Sequence, residues 1–364
     1  MASTYIFIAD SEFKVFLSEL IREQFYPPEA PCHFFTFTPR IQRSWHLHDW
    51  DSRTLIPCYL KKSVKKLWGL RKRILRVQDT FAEVCQGADE IVIHTYQIFS
   101  ERVNYVIKHL QKTFPHATVH VRLIPDGTLN LTRRPMHGWR RLPHLFNHFK
   151  WFWYPKINHY SYRGDRLGAD ADIVDRIYLP EGFPNEYDQN KIHWIKMPKT
   201  PAPADGSGQR TALVVGTALT QTRVCSRADM ARAARRLRET VDAYQIDKAY
   251  YKLHAKEDEN HKELWSDGYE LLRTDLCIER LIIANHYDLV IGNVSTSMMT
   301  SKLMLPEMNV VSCGLDLVEK RARRSHSLHR YREACERIGV QLVPVLTDTP
   351  ISTAPAHHCP SPAA

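Results

Sequence analysis

Several short stretches carry residue types suited to an anionic group and a mobile proton. In Gly292-Asn-Val-Ser295-Thr296-Ser297 a turn of hydroxyl residues follows the apolar run Leu289-Val290-Ile291, and Met298, Met299, Leu303 and Met304 then recur at helical spacing. A buried strand, small hydroxyl residues and a helix start make an anion site, because unpaired N–H groups and the helix dipole favour negative charge there. The same residues suit an ordinary helix cap. Pro125-Asp126-Gly127-Thr128 follows the strand-like Ala117–Ile124. Loops beyond the carboxyl ends of strands hold ligands in open α/β sheets, which places Asp126 well for chemistry. Its composition is equally that of a plain turn. Lys248 to His254 reads as a strand with Tyr250, Lys252 and His254 on one face. Glu279 sits on a short helix from Cys277 to Ala284. The plainer readings are a strand histidine satisfied by a neighbour and a surface carboxylate. Two Asp-x-Asp patterns, Asp49/Asp51 and Asp170/Asp172, could chelate a divalent cation, but a three-residue pattern among forty acidic residues is a weak signal.

The elements that must position these residues follow from hydrophobic period. Glu90–His94, Phe99–Phe114 and Ala117–Ile124 read as strand, helix and strand, a βαβ unit that implies a parallel sheet. Lys196 to Arg210 is rich in proline, glycine and small polar residues, which marks a linker. Beyond it, Thr211–Gly216 reads as a strand ending in the small-residue loop Thr217-Ala218. A helix over Ala228–Tyr244, the strand to His254, the Glu279 helix, the strand and helix from Asp288, and a strand at Val310–Gly314 complete a second α/β set. With 364 residues the chain exceeds what one core usually serves. The expected division is a Rossmann-like domain over 1–195, a linker over 196–210, a second Rossmann-like domain over 211–349 and a disordered tail over 350–364.

Composition bounds the setting. Hydrophobic residues make up 43% and charged residues 25%, ordinary for a folded chain. There is no uncharged apolar segment of membrane-spanning length, and the first ten residues read as a strand rather than a signal peptide, so a cytoplasmic location is expected. Eight scattered cysteines without a C-x-x-C pair fit a reducing compartment and form no zinc pattern. The formal net charge of +10 points to anionic partners. Lys61 to Arg76 interleaves basic residues with Val64, Leu67, Trp68, Leu70, Ile74 and Leu75, and a second aromatic and basic cluster runs from Arg133 to Arg166. Each either packs its apolar side on the protein body or lies on an anionic membrane surface. No helix-turn-helix, zinc-finger or RNA-recognition signature accompanies the charge, and no nucleic-acid partner is expected.

Two α/β domains joined by a linker, with a cleft between them, are the layout of GT-B glycosyltransferases, among other folds. At three places the residues also resemble bacterial sialyltransferases and polysialyltransferases that use CMP-sialic acid. Pro125-Asp126-Gly127 is similar to their acidic-acidic-glycine motif, Lys252-Leu-His254-Ala255 to their Lys-x-His-Pro motif, and Gly292-Asn-Val-Ser295-Thr-Ser297 to their serine/threonine motif. The order along the chain matches as well. Pro125 stands where a second acidic residue is usual, and Ala255 replaces the proline after the histidine.

The resemblance implies a GT-B-like, inverting glycosyltransferase that needs neither cofactor nor metal. Its CMP-sugar donor would be CMP-sialic acid and its acceptor a cell-surface glycan, capsule or lipopolysaccharide. Asp126 would be the base for the acceptor hydroxyl and His254 would meet the departing phosphate. Gly216, Thr217, Lys252, His254, Glu279, Ser295, Thr296 and Ser297 would line the CMP-sugar, with Glu279 accepting from the ribose hydroxyls. Lys61 to Arg76 would hold the enzyme at the inner face of the cytoplasmic membrane. A transferase using CMP-Kdo or a UDP- or GDP-sugar is the near alternative, and a non-catalytic basic protein binding nucleic acid or membrane is the distant one.

Overall fold

A computed structural model describes residues 2–43, 49–56, 70–127, 131–136, 159–199, 208–219, 224–254, 257, 268–321, 325–347, 350, 351 and 353. Much of the basic stretch 61–76, most of the aromatic and basic cluster after Arg133, the centre of the linker and nearly all of the tail lie outside them. The chain forms two compact units. One comprises residues 1–126, 133–179 and 186–195; the other comprises 127–132, 180–185 and 196–364. Two short excursions of the chain thus cluster with the second unit.

The first unit is built on strands β1 (Ser3–Ile8), β2 (Cys32–Thr36), β3 (Ser52–Leu55), β4 (Glu90–Thr95), β5 (Thr118–Leu123), β6 (Val174–Pro180) and β7 (Ile192–Ile195). They assemble in the order β3-β2-β1-β4-β5-β6-β7, and the pairs from β3 through β6 are all parallel. Helices α1 (Glu12–Phe25), α2 (Leu70–Val84) and α3 (Glu101–Thr113) accompany the sheet. The central strands β1 and β4 are mostly buried and largely apolar, because both faces of a parallel sheet are covered. Ser11 starts α1, its hydroxyl accepting from the Lys14 amide at 3.4 Å. Phe35 of β2 stacks on Phe81 of α2 with ring centroids 4.1 Å apart, so one side of α2 belongs to this core, as do Val77 and Cys85.

A polar knot sits inside the same sheet. His94 is fully buried and stacks on Phe7 at 4.0 Å. Its Nε2 lies 2.7 Å from the Tyr26 hydroxyl, and its Nδ1 lies 3.3 Å from the Ile6 carbonyl. Arg122 donates to the Tyr26 hydroxyl at 2.6 Å and pairs with Asp175 at 3.0 Å. Each buried polar group thereby finds a partner.

The second unit carries strands β8 (Thr211–Val215), β9 (Lys248–Lys252), β10 (Tyr269–Leu271), β11 (Leu289–Gly292), β12 (Asn309–Cys313) and β13 (Gln341–Val343). All are parallel, in the order β10-β9-β8-β11-β12-β13. The helices are α4 (Arg227–Ala243), α5 (Ile278–Ala284), α6 (Thr296–Met304), α7 (Leu315–Arg321) and α8 (Ser325–Ile338). A capping box opens α4: the Ser226 hydroxyl accepts from the Asp229 amide and the Asp229 carboxylate accepts from the Ser226 amide. In each sheet the strand order reverses beside the first strand, between β1 and β4 and between β8 and β11. Doubly wound folds bind ligands at that reversal, outside the carboxyl ends of the strands. Among the described residues no helix is long and apolar enough to cross a membrane.

Candidate active site

In the first unit, Asp126 follows β5 at the carboxyl edge of the sheet. The Ile124 amide donates to the Thr95 carbonyl at 2.9 Å, so the chain leaves β5 still held to β4. Asp126 meets a cation the sequence reading passed over. Lys14, on the first turn of α1, is buried with its Nζ 2.7 Å from Asp126 Oδ1 and 2.6 Å from Asp10 Oδ1. The same ammonium lies over the Tyr96 ring, 3.5 Å from its centroid. Asp10 follows β1 and Tyr96 follows β4, so these groups flank the strand-order reversal. Burial raises the Asp126 carboxyl above its ordinary range, Lys14 opposes that, Asp10 adds to it, and the rise prevails. The Asp126 side chain is 24% exposed, open enough to meet a solute.

The second unit gathers most of the other candidates at the carboxyl ends of β8, β9 and β11. The Gly216 amide donates to the Lys252 carbonyl at 2.9 Å. A Cβ on Gly216 would lie 2.9 Å from the His254 amide nitrogen and overlap the Glu257 carboxylate, so only glycine fits. The Thr217 hydroxyl donates to Asn293 Oδ1 at 3.3 Å, and Asn293 Nδ2 donates to the Cys313 carbonyl at 3.1 Å. That chain of bonds runs across the reversal from the β8 loop to the turn before α6. Gly127 belongs to the excursion that clusters with this unit. It has φ +66°, and a Cβ there would overlap the Thr296 side chain.

Four expectations change in detail. His254 is not a strand residue: β9 ends at Lys252, and His254 is exposed in the loop beyond. Lys252 does not point its ammonium at open space, since Nζ donates to the Thr274 carbonyl. Ser295 acts as the helix cap, its hydroxyl accepting from the Ser297 amide at 3.3 Å. Its main chain is held by the buried Tyr331, which accepts from the Ser295 amide at 3.1 Å and donates to the Ser295 carbonyl at 3.0 Å. The Ser297 side chain, in the first turn of α6, is half-buried, as are those of Ser295 and Thr296.

Glu279 is the fourth, and it is no surface carboxylate. It is 1% exposed. Thr300 of α6 donates to its Oε1 at 2.5 Å, and its own amide and the Cys277 thiol also donate to it. Burial lifts its pKa. Turned inward in this way, Glu279 ties α5 to α6.

The Asp-x-Asp patterns serve the fold. Asp170 accepts from the Asp165 amide at 2.7 Å and from Arg133, and Asp51 accepts from the Cys32 amide at 2.7 Å. Among the described residues no group of three or more His, Cys, Asp or Glu side chains is arranged to hold a metal ion.

Two residues, one near the carboxyl edge of each sheet, carried no clear sequence signal. Glu257 accepts from the His254 amide at 2.6 Å and from the Tyr251 hydroxyl at 3.1 Å, and burial pushes its carboxyl up to about 7. Lys14 lies in a helix far from the motifs in sequence. An acidic residue three positions after His254 was the one hint of the first; nothing marked the second.

Comparison with solved structures places the architecture. An alpha/beta-galactoside alpha-2,3-sialyltransferase from Photobacterium phosphoreum matches with a TM-score of 0.53 at 11% identity, over 93% of this chain and 97% of that one. UDP-GlcNAc 2-epimerase from Neisseria meningitidis matches with a TM-score of 0.50 at 10% identity, over 95% and 88%. At such identities the likeness is one of fold, and the fold is that of GT-B glycosyltransferases. Comparison with curated protein sequences yields no significant match. The family model for alpha-2,8-polysialyltransferase matches residues 93–314, more than half of the chain. This chain belongs to the alpha-2,8-polysialyltransferase family, and it is a glycosyltransferase of the sialyltransferase type.

Proposed function

We propose that the chain transfers sialic acid from CMP-sialic acid to a glycan acceptor, with inversion and without a metal. The observation that carries the reading is Asp126: a partly exposed carboxyl at the sheet edge, raised by burial and held by Lys14. A carboxyl raised in that way is a stronger base once ionised, and the lysine fixes its orientation.

In the proposed step the acceptor hydroxyl oxygen attacks the anomeric carbon while the bond from that carbon to the CMP phosphate breaks. The hydroxyl proton passes to Asp126, and the electron pair departs on the phosphate. His254 donates a hydrogen bond or a proton to that phosphate. The Ser297 hydroxyl and the first turn of α6 support its remaining charge. Gly216 and Thr217 supply a close-approaching backbone from β8, and Lys252 anchors the strand end that presents His254. Glu279 acts at one remove, holding α6 through Thr300. Attack opposite the leaving group inverts the sugar carbon. With one phosphate on the donor, no cation is needed to bridge a diphosphate.

The family match supports a glycan that itself ends in sialic acid as the acceptor class. The basic stretch 61–76 is proposed to rest on an anionic membrane surface during transfer. Of that stretch, α2 contributes Ile74 and Leu75, both half-buried, beside the exposed Lys72 and Arg76.

The test is transfer from CMP-sialic acid to an oligosialic acid, with and without EDTA, alongside thermal shifts with CMP, UDP and GDP. Transfer that survives EDTA and a larger shift from CMP than from UDP or GDP support the reading. Strict dependence on a divalent cation, or equal shifts from all three, would sink it.

A further inference from the structure

The most constrained group at the edge of the second sheet is neither His254 nor the hydroxyl turn, but the carboxylate of Glu257. Side chain and backbone of Glu257 together hold both main-chain groups of His254. The His254 amide donates to Glu257 Oε2 at 2.6 Å, and the Glu257 amide donates back to the His254 carbonyl at 2.9 Å. The first bond is one half of a capping box, and the second is the main-chain bond that closes a turn from His254 to Glu257. The second carboxylate oxygen accepts from the Tyr251 hydroxyl at 3.1 Å, which ties the reversal to β9. The carboxylate also accepts from the Thr217 backbone amide, and it packs so closely under Gly216 that no Cβ fits there. One side chain thus joins the β9 loop that carries His254 to the β8 loop that carries Thr217. Thr217 passes the connection to Asn293, two residues before Ser295.

We propose that Glu257 is the positioning residue of this site, fixing the backbone of His254 so that its imidazole is aimed at the departing phosphate. The proposal rests on the reading of His254 given above. The physical need is plain. Residue 255 is alanine, so nothing in the covalent chain stiffens the backbone after His254 as a proline would. An exposed imidazole on an unrestrained loop would sample many directions, and small misplacements of a reacting group are expensive. Two hydrogen bonds to one carboxylate-bearing residue, itself locked by Tyr251 and Thr217, supply the restraint. Burial that favours the neutral acid does not undo it. A protonated Glu257 still accepts from the His254 amide with its carbonyl oxygen and can donate to the Tyr251 hydroxyl.

The test is a double-mutant cycle between Glu257 and His254, read as turnover of CMP-sialic acid with an oligosialic acceptor and as CMP affinity. Glu257→Ala lowers kcat by on the order of tenfold, the scale of a misaimed group, while the protein remains folded. Glu257→Gln stays within about threefold of wild type, because its amide oxygen accepts from His254 and its NH2 faces the Tyr251 oxygen. In the His254→Ala background, Glu257→Ala costs less than about twofold more, since the group it aimed is gone. Should Glu257→Ala fail to fold, Glu257→Met keeps the side-chain length without an acceptor and is read in the same cycle. Full turnover in Glu257→Ala beside a collapse in His254→Ala overturns the positioning role alone, as does an equal loss with and without His254. Full turnover in His254→Ala overturns the catalytic reading and this proposal with it.

Discussion

Lys14 Nζ lies 2.7 Å from Asp126 Oδ1 and shares its charge with Asp10 at 2.6 Å. A buried ammonium between two carboxylates holds both in place, and its charge lowers the Asp126 pKa against the burial that raises it. Its loss is therefore legible in the titration of Asp126. Lys14→Met removes a charge that lowers the Asp126 pKa, so that pKa rises further. The acid limb of the kcat profile is expected to move to higher pH, with turnover lower along that limb and CMP affinity unchanged. An unmoved acid limb in a folded Lys14→Met protein would separate Lys14 from the chemistry.

Asp126→Asn preserves size and polarity but removes the base. Transfer should fall by on the order of a hundredfold or more, with CMP binding nearly unaffected because the proposed role of Asp126 lies with the acceptor. His254→Ala should lose turnover and weaken CMP binding together, since the imidazole is proposed to meet the phosphate before and during reaction. Kinetics and CMP titration of the two variants separate the roles. Near-normal turnover in Asp126→Asn would leave Pro125-Asp126-Gly127 as a turn and nothing more.

Tyr331 holds the amide and the carbonyl of Ser295 with one hydroxyl and lies 3.2 Å from the Ser312 hydroxyl. Tyr331→Phe leaves that buried amide unpaired at a cost of about 1–3 kcal/mol. The expected outcome is a lower denaturation midpoint and weaker CMP binding, with little change in kcat at saturating donor. Unchanged CMP affinity would mean that the turn before α6 keeps its shape without the phenol.

His94 is buried neutral, and desolvation, together with the charges of Arg122 and Arg176, holds its pKa well below 6.5. A histidine whose folded pKa is depressed contributes stability that is present above about pH 6.5 and is lost as pH falls below it. The loss approaches 1.4 kcal/mol for each pH unit below the unfolded value. The groups around it are Tyr26, Tyr178, Arg122 and Phe7, with the Ile6 carbonyl. Glu257 and Glu279, whose carboxyls are raised, act in the opposite direction over part of the range. The measurement is therefore a difference: denaturant unfolding of wild type and His94→Phe at pH 5 and 7. Wild type should lose more stability than the variant on acidification, and parallel losses would refute the assignment.

The liposome test addresses the basic stretch. Changing Lys65, Lys66, Arg71 and Lys72 to Gln should weaken binding to anionic vesicles, each cation near the surface contributing about 1 kcal/mol. Unchanged partitioning would return these residues to an ordinary packed face.

Local pattern was enough for the parts of this protein that local forces decide. The βαβ unit from Glu90 to Leu123 was legible because short runs rich in Val, Ile and Leu mark its strands and a helix must repeat its apolar side at 3.6 residues. The positions of Asp126 and Ser295 just beyond strands followed from the same period, and so did their place at the carboxyl edge of a parallel sheet. Their neighbours did not follow. Lys14 reaches Asp126 because β1 lies beside β4 and β4 beside β5, a strand order no local pattern encodes. Glu279 looked exposed on a seven-residue helix because its period says nothing of Thr300 on α6 closing over it. The strand that seemed to run on to His254 stops at Lys252, because the Glu257 carboxylate captures the His254 amide and turns the chain. A buried polar group takes whichever partner the packed fold brings within 3 Å. Thus the residue types were written in the sequence, while tertiary packing chose which of them lie open at a sheet edge and which hold the others still.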